Sequence, residues 1–183
     1  MESLCGLREL VRAHGDLALL QATLPPPIPG LAIVSTDAGV QMVADRIDRL
    51  RNTHLDIVPL SDQDRAEMLA LATLTQPGPF FARTHELGEF FGVRSGGKLV
   101  AMAGERLKPD GHTEVSGVCT HPDHRGQGLA GAQMRFVAGR VIDRGERPFL
   151  HAYASNTAAI ALYERIGFTL RRRIAMTRLG IAA

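Results

Sequence analysis

The stretch that decides the fold reads VCTHPDHRGQGLA and occupies residues 118–130. It joins a strand-like segment, Glu114–Thr120, to Gly126–Arg144, in which apolar residues recur at helical spacing. Gly126 and Gly128 allow the backbone to turn sharply and to present successive N–H groups outward. The positive end of the following helix points at the same place, so the stretch predicts a cradle for an anion such as a pyrophosphate.

Two other nucleotide-binding patterns also place glycines before a helix. The P-loop is excluded, because no lysine followed by Ser or Thr comes after the second glycine. Gly126–Gly131 does satisfy the dinucleotide string G-x-G-x-x-G, but that motif needs its first glycine directly after the strand and an acid at the end of the next strand. Here residues 121–125 intervene, and Phe149–Tyr153 runs into Ala154-Ser155 without an acid. The context therefore disfavours a dinucleotide site.

A second patterned segment follows, NTAAIALYERIGF at residues 156–168. Together with Thr120-His121-Pro122 and the RGQGLA run at residues 125–130, it resembles the paired signatures of the GNAT superfamily of acyl-CoA-dependent N-acyltransferases. In that family the first signature is [QR]-x-x-G-x-[GA] and the second is N-x-x-A-x-x-L-Y-x-x-x-G-F. Thr120 stands where many members carry valine, although a β-branched residue is kept.

The resemblance covers Leu55 to Arg178, and the run Glu114–Val118 is similar to the branch that includes glycine N-acyltransferase-like proteins. It implies an α+β fold with a central mixed, mostly antiparallel sheet, one splayed strand pair and helices on both faces. It also implies acetyl-CoA as co-substrate, with the pantetheine arm in the splayed gap. The implied cofactor contacts are Val118, Cys119, Thr120, Arg125, Gly126, Gln127, Gly128, Leu129, Ala130 and Asn156. An Asn at a helix start is equally an N-cap, so both roles stay open for Asn156.

Two catalytic residues are expected. Tyr163 stands where the family often places a tyrosine that protonates the departing CoA thiolate; the alternative is a ring that only fills the interface between helix and strand. Glu114 is the preferred general base for the amine, on the strand that leads into the cradle. Other candidates for the base are Glu105, His112 and His151, each with a surface role as the alternative.

Strict alternation along Glu114–Thr120 places Glu114 on the face of Ser116 and Val118, and Cys119 on the opposite face. Cys119 has no accompanying His/Asp pattern for an acyl-cysteine mechanism, so we interpret it as a buried core residue. The only two closely spaced histidines, His121 and His124, are interpreted as polar loop residues. No metal is predicted.

The composition sets bounds on the class of protein. With 183 residues, 45% hydrophobic and 22% charged, the chain falls in the ordinary globular range. Its net charge of +2 is too small to indicate nucleic acid or an anionic membrane as a partner. The tract Arg171–Arg173 is interpreted as a solvated strand or turn, with a contact to a phosphate as the alternative. Neither a signal peptide nor a membrane span is indicated, so the cytoplasm is the expected compartment.

The chain is expected to comprise an N-terminal segment, residues 1–53, and an acyltransferase domain, residues 54–183. Helical spacing predicts helices over residues 4–20 and 40–50, on either side of a proline-rich turn and a short strand at Leu31–Val34. The domain is predicted to contain strands and helices in the following order: Leu55–Leu60, helix Ser61–Leu74, Phe90–Arg94, Lys98–Glu105, Glu114–Thr120, helix Gly126–Arg144, Phe149–Tyr153, helix Asn156–Ile166 and Phe168–Met176.

These features predict an N-acetyltransferase in which a primary amine attacks acetyl-CoA directly. The alternatives are a catalytically inactive module that binds acyl-CoA and an N-acyltransferase that uses a longer acyl chain. The acceptor is a small-molecule or peptide amine whose identity the sequence leaves open, together with acyl chain length, the choice of base and the role of residues 1–53. The resemblance implies that the protein forms a homodimer.

Overall fold

The structure is a computed structural model that describes residues 2–49 and 55–182. Its helices are α1 (Glu2–His14), α2 (Arg65–Thr75), α3 (Leu129–Asp143) and α4 (Thr157–Ile166). Its strands are β1 (Leu17–Gln21), β2 (Leu31–Val43), β3 (Ile57–Leu60), β4 (Phe90–Ser95), β5 (Lys98–Glu105), β6 (His112–Thr120), β7 (Arg147–Tyr153) and β8 (Thr169–Ile181). No helix within the described residues is both long enough and apolar enough to cross a membrane.

The chain divides into two compact units. The first comprises Met1–Gln41, Ala152–Ile160 and Leu170–Ala183, and the second comprises Met42–His151 and Ala161–Thr169. The predicted boundary between residues 53 and 54 lies at the edge of the undescribed stretch 50–54 and stays a prediction. The second unit contains the glycine cradle and strands β3 to β6.

In the second unit the sheet has the strand order β7-β6-β5-β4-β3. Strands β3 to β6 pair antiparallel with their neighbours, whereas β6 and β7 are parallel. The predicted hairpin of β4 and β5 is present, with the turn at Gly96-Gly97 in left-handed conformation. The sheet is therefore mixed and mostly antiparallel, as predicted.

A β-bulge in β5 determines which side chains share a face. Val93 pairs with Ala101 and Arg94 with Leu99, so Val100 is the extra residue in the ladder. Because of this insertion, Leu99 and Met102 point to one face, while Val100 and Ala101 point to the other.

Helices cover both faces of this sheet, as predicted. On one face α2 contributes Met68, Leu71 and Ala72 to an apolar cluster with residues of the sheet, namely Phe90, Leu99, Met102 and Cys119. On the other face, the first residue of α3, Leu129, packs in a cluster with Val93, Val100 and Ala101. We call these the α2 face and the α3 face.

The helix predicted from Ser61 is divided in the structure: Ser61 caps a 3-10 turn at Asp62–Asp64, and α2 follows from Arg65 with no side-chain cap of its own. The Ser61 N–H donates to Asp64 Oδ2 at 2.7 Å, and Ser61 Oγ accepts from the Gln63 N–H at 3.3 Å, which forms a capping box. The hydrogen bond from the Ser61 backbone holds the pKa of Asp64 below its usual range. The helix ends at Thr75, followed by Gln76 in left-handed conformation at φ 49°.

Two predictions for the N-terminal segment are wrong. The helix predicted over residues 4–20 ends at His14, where Gly15 adopts φ 84° and its N–H donates to the Val11 carbonyl at 2.9 Å; residues from Leu17 onward form β1. In place of the helix predicted over residues 40–50, residues 40–43 form the end of β2, where β-branched Val40 and Val43 are buried, and residues 44–49 are neither helix nor strand. Leu50 lies outside the described residues.

In the first unit β1 pairs antiparallel with β8, from Leu17 opposite Leu179 to Gln21 opposite Ala175. The tract Arg171–Arg173 lies on β8 and is exposed, as interpreted from the sequence. Arg171 Nη1 donates to Gln41 Oε1 at 2.5 Å.

Two glycines allow a test of how tightly the second unit is packed. A Cβ on Gly104 would press on the Phe90 ring and lie 2.7 Å from the Glu89 carbonyl oxygen, whereas a Cβ on Gly139 of α3 would meet Ile47 Cδ1 at 3.7 Å. We expect Gly104→Ala to lower the free energy of unfolding by about 1–3 kcal/mol. Gly139→Ala is the control and should leave it unchanged or raise it by up to about 1 kcal/mol. Urea unfolding followed by circular dichroism measures both, and equal effects would contradict this packing.

Candidate active site

The main feature of the site is the parting of two parallel strands. Strands β6 and β7 pair only at His112–Arg147, Thr113–Pro148 and Glu114–Phe149 among the described residues. Beyond Glu114 and Phe149 both strands continue through residues that the structure describes, and these residues form no further pairs between the two strands. The gap between the diverging strands leaves main-chain groups on the β7 side of β6 for another partner.

A bulge in β6 accompanies this parting. Met102 pairs with Cys119, and Gly104 pairs with Ser116. Between these two pairs β6 contains one residue more than β5. Gly117 lies in this interval at φ 64°, a conformation that glycine adopts without steric cost. The bulge thus bends β6 at the beginning of the gap.

The alternation expected from the sequence is wrong because of this bulge. Because one residue is inserted, Glu114, Ser116 and Cys119 share the α2 face, whereas Val118 points to the α3 face. Cys119 is therefore on the same face as Glu114 and not opposite to it, and Val118 is not on the face of Glu114. This bulge was not predicted from the sequence, although a single glycine within a strand pattern is a signal that could have indicated it.

Cys119 is a core residue, as interpreted. Its burial in the cluster with α2 raises the pKa of the thiol to about 11, against smaller opposing effects of hydrogen bonds with Thr75 and the Met102 backbone. A thiol with this pKa stays protonated at neutral pH and is a poor nucleophile. The geometry therefore leaves only the main chain of Cys119 for contact with a ligand.

The cradle has the predicted form. Gly126 and Gly128 adopt φ 77° and 76°, and Gly128 is the N-cap of α3. The first hydrogen bond of the helix runs from the Ala132 N–H to the Gly128 carbonyl at 3.0 Å, so the amides of the preceding turn have no intrahelical acceptor. No acidic residue lies in this turn of α3. The segment can therefore bind an anion through main-chain N–H groups.

Side chains around the cradle differ in their exposure. Arg125 and Gln127 are exposed, whereas Leu129 is buried and Ala130 is half-buried, so Leu129 can offer a ligand only its backbone. In the turn before the cradle His121 Nδ1 accepts from the Asp123 N–H at 3.3 Å, which agrees with a polar loop residue. Thr120 continues the edge of β6, with its hydroxyl lacking a hydrogen-bond partner among the described residues.

Glu114 lies in a buried ion-pair network at the closed end of the gap. Arg106 donates to it in a bidentate manner, from Nε to Oε2 and from Nη2 to Oε1, both at 2.8 Å. His151 Nδ1 lies 2.8 Å from Glu114 Oε1. The side chains of Glu114 and His151 are 1% and 6% exposed. The network thus connects β6, the segment after β5, and β7 on the α2 face.

The electrostatics of this network fix the charge of Glu114. Burial acts to raise the pKa of its carboxyl, but the hydrogen bonds from Arg106 and His151 outweigh it, and the pKa lies below its usual range. Glu114 therefore stays ionised at neutral pH. A carboxylate held in this way by two donors is a weak proton acceptor by itself.

Two aromatic rings lie over the bulge. A Cβ on Gly117 would be 2.9 Å from Phe90 Cε1 and 3.6 Å from two ring carbons of Phe80. The two rings meet edge to face, with centroids 5.6 Å apart. Phe90 is buried in the cluster with α2 and Phe80 is half-buried against it, so the two rings cover the bulge on the α2 face.

The remaining candidates for the base have structural partners. Glu105 is fully buried on the α3 face, where Arg144 lies 2.7 Å and Lys108 2.8 Å from its two oxygens, so it anchors the end of α3. His112 is half-buried; its Nδ1 lies 2.8 Å from the Asp110 carbonyl oxygen. His151 is the candidate that the structure brings together with Glu114. Sequence reasoning missed Arg106, for which the sequence carries no distinctive signal.

Tyr163 and Asn156 both lie on or beside α4. The Tyr163 ring meets Phe168 edge to face with centroids 6.4 Å apart, and burial raises the pKa of its hydroxyl. Asn156 Oδ1 accepts from the Ala159 N–H at 3.2 Å, so its N-cap role is confirmed and its contact with a cofactor stays a prediction.

Comparison with known proteins assigns the family. A protein from Novosphingobium aromaticivorans, attributed to the GNAT family of acetyltransferases, has 43% sequence identity and a TM-score of 0.87 over 92% of this chain and 75% of that protein. The GCN5-related N-acetyltransferase from Kribbella flavida has the same fold, with 21% identity and a TM-score of 0.67 over 100% of this chain and 75% of that chain. Residues 90–177 match the family model of FR47-like proteins.

Among curated proteins, the [ribosomal protein bS18]-alanine N-acetyltransferase of Escherichia coli is 36% identical over 86 residues. The match covers 45% of this chain and 57% of the length of that enzyme. The chain thus spans little more than half the length of the curated relatives it matches. With the splayed strands, the glycine cradle and the Novosphingobium relative considered together, the protein belongs to the GNAT family of N-acetyltransferases.

Proposed function

We propose that the protein transfers an acetyl group from acetyl-CoA to a primary amine by direct attack of the amine on the thioester. The observation that carries this proposal is the gap between β6 and β7, which leads directly into the glycine cradle at the start of α3. An extended, amide-rich arm and an anionic pyrophosphate match these two adjoining features in shape and charge.

The cofactor contacts divide between strand and helix. In this proposal the amides of the pantetheine arm pair with the main chain of Val118, Cys119 and Thr120, taking the place of a neighbouring strand. The pyrophosphate is bound by the amides of residues 126–130, and the exposed Arg125 adds a charged hydrogen bond. Asn156 remains a proposed contact of the cofactor in addition to its capping role.

The chemistry needs three actions. The amine nitrogen attacks the thioester carbon, and main-chain N–H groups near Cys119 stabilise the oxyanion that forms. At the closed end of the gap, the ionised carboxylate of Glu114 supplies the negative charge that is needed for removal of a proton from the amine. Tyr163 donates its hydroxyl proton to the CoA thiolate as the C–S bond breaks, and its raised pKa keeps that proton in place until then.

The acceptor is proposed to be the terminal amine of a peptide. The E. coli relative is an alanine N-acetyltransferase that acts on ribosomal protein bS18, which favours a protein amine over a small molecule. The half-buried Phe80 ring beside Gly117 is proposed to give an apolar contact for a small aliphatic side chain next to the amine. A small-molecule amine, the glycine N-acyltransferase-like branch, a cytoplasmic location and a homodimer remain predictions from the sequence.

Tyr163→Phe tests the proposed acid. The variant keeps the ring that contacts Phe168 and removes only the proton donor, so we expect kcat to fall about 10²–10⁴-fold. Release of CoA from acetyl-CoA is measured with a set of peptides that differ in their first residue, including alanine, and with small amines. Unchanged kcat in the variant would contradict the role of Tyr163. Binding of acetyl-CoA by the wild type without turnover of any amine would favour the inactive binding module.

A pair of glycine substitutions tests the cradle. Gly128 and Gly145 stand before and after α3 at φ 76° and 80°, and neither would have an atom within 4 Å of an added Cβ. Gly128→Ala and Gly145→Ala therefore introduce the same backbone strain, about 1–2 kcal/mol. We expect only Gly128→Ala to weaken acetyl-CoA binding, by about tenfold or more, because relief of the strain turns a main-chain N–H of the cradle away from the pyrophosphate. Isothermal titration measures this, and equal affinity of the two variants would contradict the assignment.

A further inference from the structure

Segment 44–49, which follows β2 and is neither helix nor strand, contacts three elements of the second unit. The first of these is the beginning of β7. There the Ala44 N–H donates to the Pro148 carbonyl at 3.0 Å. Next to it, Arg147 Nη2 donates to Asp45 Oδ2, also at 3.0 Å. The segment is thus attached to the strand that forms one edge of the gap.

The second contact of segment 44–49 is with the last turns of α3. Arg49 binds Asp143 in a bidentate manner, from Nη1 to Oδ2 at 3.0 Å and from Nη2 to Oδ1 at 2.5 Å. Ile47 lies over α3, where a Cβ added to Gly139 would meet Ile47 Cδ1 at 3.7 Å. Both side chains of the ion pair are more than half exposed, so the pair alone holds the segment only weakly. The backbone contacts of the segment therefore contribute most to its position.

The third contact is with the C-terminal end of α4. The Asp48 N–H donates at 2.8 Å to the carbonyl of Ile166, one of the last carbonyls of the helix, which lack donors within it. The Arg46 carbonyl oxygen lies so close to Gly167 that an added Cβ would be 2.6 Å from it. Gly167 also adopts φ 119°, so both its conformation and this contact require glycine. Segment 44–49 therefore fixes the position at which α4 ends.

The end of α4 is bonded directly to Tyr163. The N–H groups of Gly167 and Phe168 donate to the Tyr163 carbonyl at 3.2 and 3.0 Å, as in the glycine-containing turns that close many helices. The ring of Tyr163 is half-buried and meets the buried ring of Phe168 edge to face. A displacement of Gly167 therefore moves both the backbone and the ring of Tyr163.

We propose that segment 44–49 positions the proton donor of the reaction: it connects the end of α4 to β7 and so sets the distance between the Tyr163 hydroxyl and the sulfur of CoA in the gap. Arg46, Asp48 and Gly167 are the positioning residues. The inference rests on the proposed function and deepens it, because it assigns a role in the reaction to residues of the N-terminal segment. A proton donor must lie within hydrogen-bond reach of its acceptor, and a displacement of about 1 Å can lower a rate about 10²-fold.

The contact is tested first by a measurement that needs neither cofactor nor acceptor. The chain has two tyrosines and no tryptophan, so in the variant Tyr153→Phe the tyrosine emission comes from Tyr163 alone. In that background we expect Gly167→Ala to raise the Stern–Volmer constant for quenching by acrylamide. The reason is that the added Cβ pushes the end of α4 away from the Arg46 carbonyl and exposes the half-buried ring.

Gly78→Ala is the control for backbone strain. Gly78 adopts φ 122°, close to the φ 119° of Gly167, but an added Cβ would have no atom within 4 Å. The control should leave the quenching of Tyr163 as it is in the Tyr153→Phe background. Equal quenching constants in the two glycine variants overturn the inference, because strain and not the contact with segment 44–49 would then explain any change.

Turnover shows whether the segment acts through Tyr163. It is measured with acetyl-CoA and the amine that gives the highest rate in the peptide and small-amine set. We expect Gly167→Ala to lower kcat about 10–10²-fold without a change in acetyl-CoA affinity. In Tyr163→Phe no proton remains to be positioned, so there Gly167→Ala should lower kcat by no more than about twofold further. Fully additive losses overturn the inference, because Gly167→Ala would then act on something other than this hydroxyl.

A charge exchange tests the segment with both glycines in place and serves if Gly167→Ala does not fold. Arg49→Glu replaces the attraction to Asp143 by repulsion, and we expect kcat to fall about two- to fivefold, the range for an exposed ion pair. Adding Asp143→Arg to Arg49→Glu restores the pair with its charges exchanged and should restore most of kcat. A loss that the exchange does not restore contradicts the role of the segment.

The outcomes separate the two levels of the proposal. Unchanged quenching and unchanged kcat in a folded Gly167→Ala overturn the role of segment 44–49 and leave the acetyltransferase function intact. A wild type that binds no acetyl-CoA, or that acetylates none of the amines, overturns the proposed function and this inference with it. Reduced acetyl-CoA affinity in Gly167→Ala, without a change in kcat, contradicts a role in positioning the proton donor.

Discussion

The rest of the site depends on one constraint, the end of pairing between the parallel strands β6 and β7 after Glu114 and Phe149. Main-chain groups in a sheet interior need partners, so strands that part must expose theirs to a ligand or to water. The bulge at Gly117 bends β6 at this point and still leaves it paired with β5 through Thr120. One edge of the gap is thus rigid and continuous with the sheet, and that same strand leads into the cradle.

Buried charge stabilises both sides of this arrangement. On the α2 face, Arg106, Glu114 and His151 connect the strands where their backbone pairing stops. On the α3 face, Glu105 binds Arg144 at the far end of the helix whose first turn forms the cradle. Removing one member of a buried pair leaves an uncompensated charge, which costs several kcal/mol, so each network strongly favours a single geometry. A cradle and a gap held this firmly are suited to bind a long cofactor without large rearrangement.

Local patterns in the sequence were sufficient for much of the fold. The capping box at Ser61, the glycine turn at residues 126–128 and the order of strands from β4 to β7 follow from short-range chemistry that the structure reproduces. The predicted helix over residues 40–50 failed because Val40 and Val43 have spacing compatible with a helix, while their burial in β2 depends on tertiary contacts. The spacing of apolar residues alone does not distinguish a helix from a buried strand in this segment.

Only the part of the candidate site that depends on local sequence could be predicted. Glycine conformations are local, so the cradle could be predicted, whereas the network of Glu114 joins residues 8 and 37 positions away in the chain. One inserted residue at Gly117 also reversed the facing of Val118 and Cys119 relative to Glu114. A prediction of side-chain facing that assumes strict alternation misses such a shift, unless a lone glycine in a strand is interpreted as a bulge.

Hydrogen–deuterium exchange of the backbone amides, with and without acetyl-CoA, tests the central claim most directly. If the gap and the cradle bind the cofactor, acetyl-CoA should slow exchange in residues 116–130, because amides of β6 and of the first turn of α3 acquire acceptors. The remaining segments of the second unit, such as β3 and α2, should exchange at unchanged rates and serve as the internal reference. Protection that is absent from residues 116–130, at acetyl-CoA concentrations that saturate binding, would contradict the account.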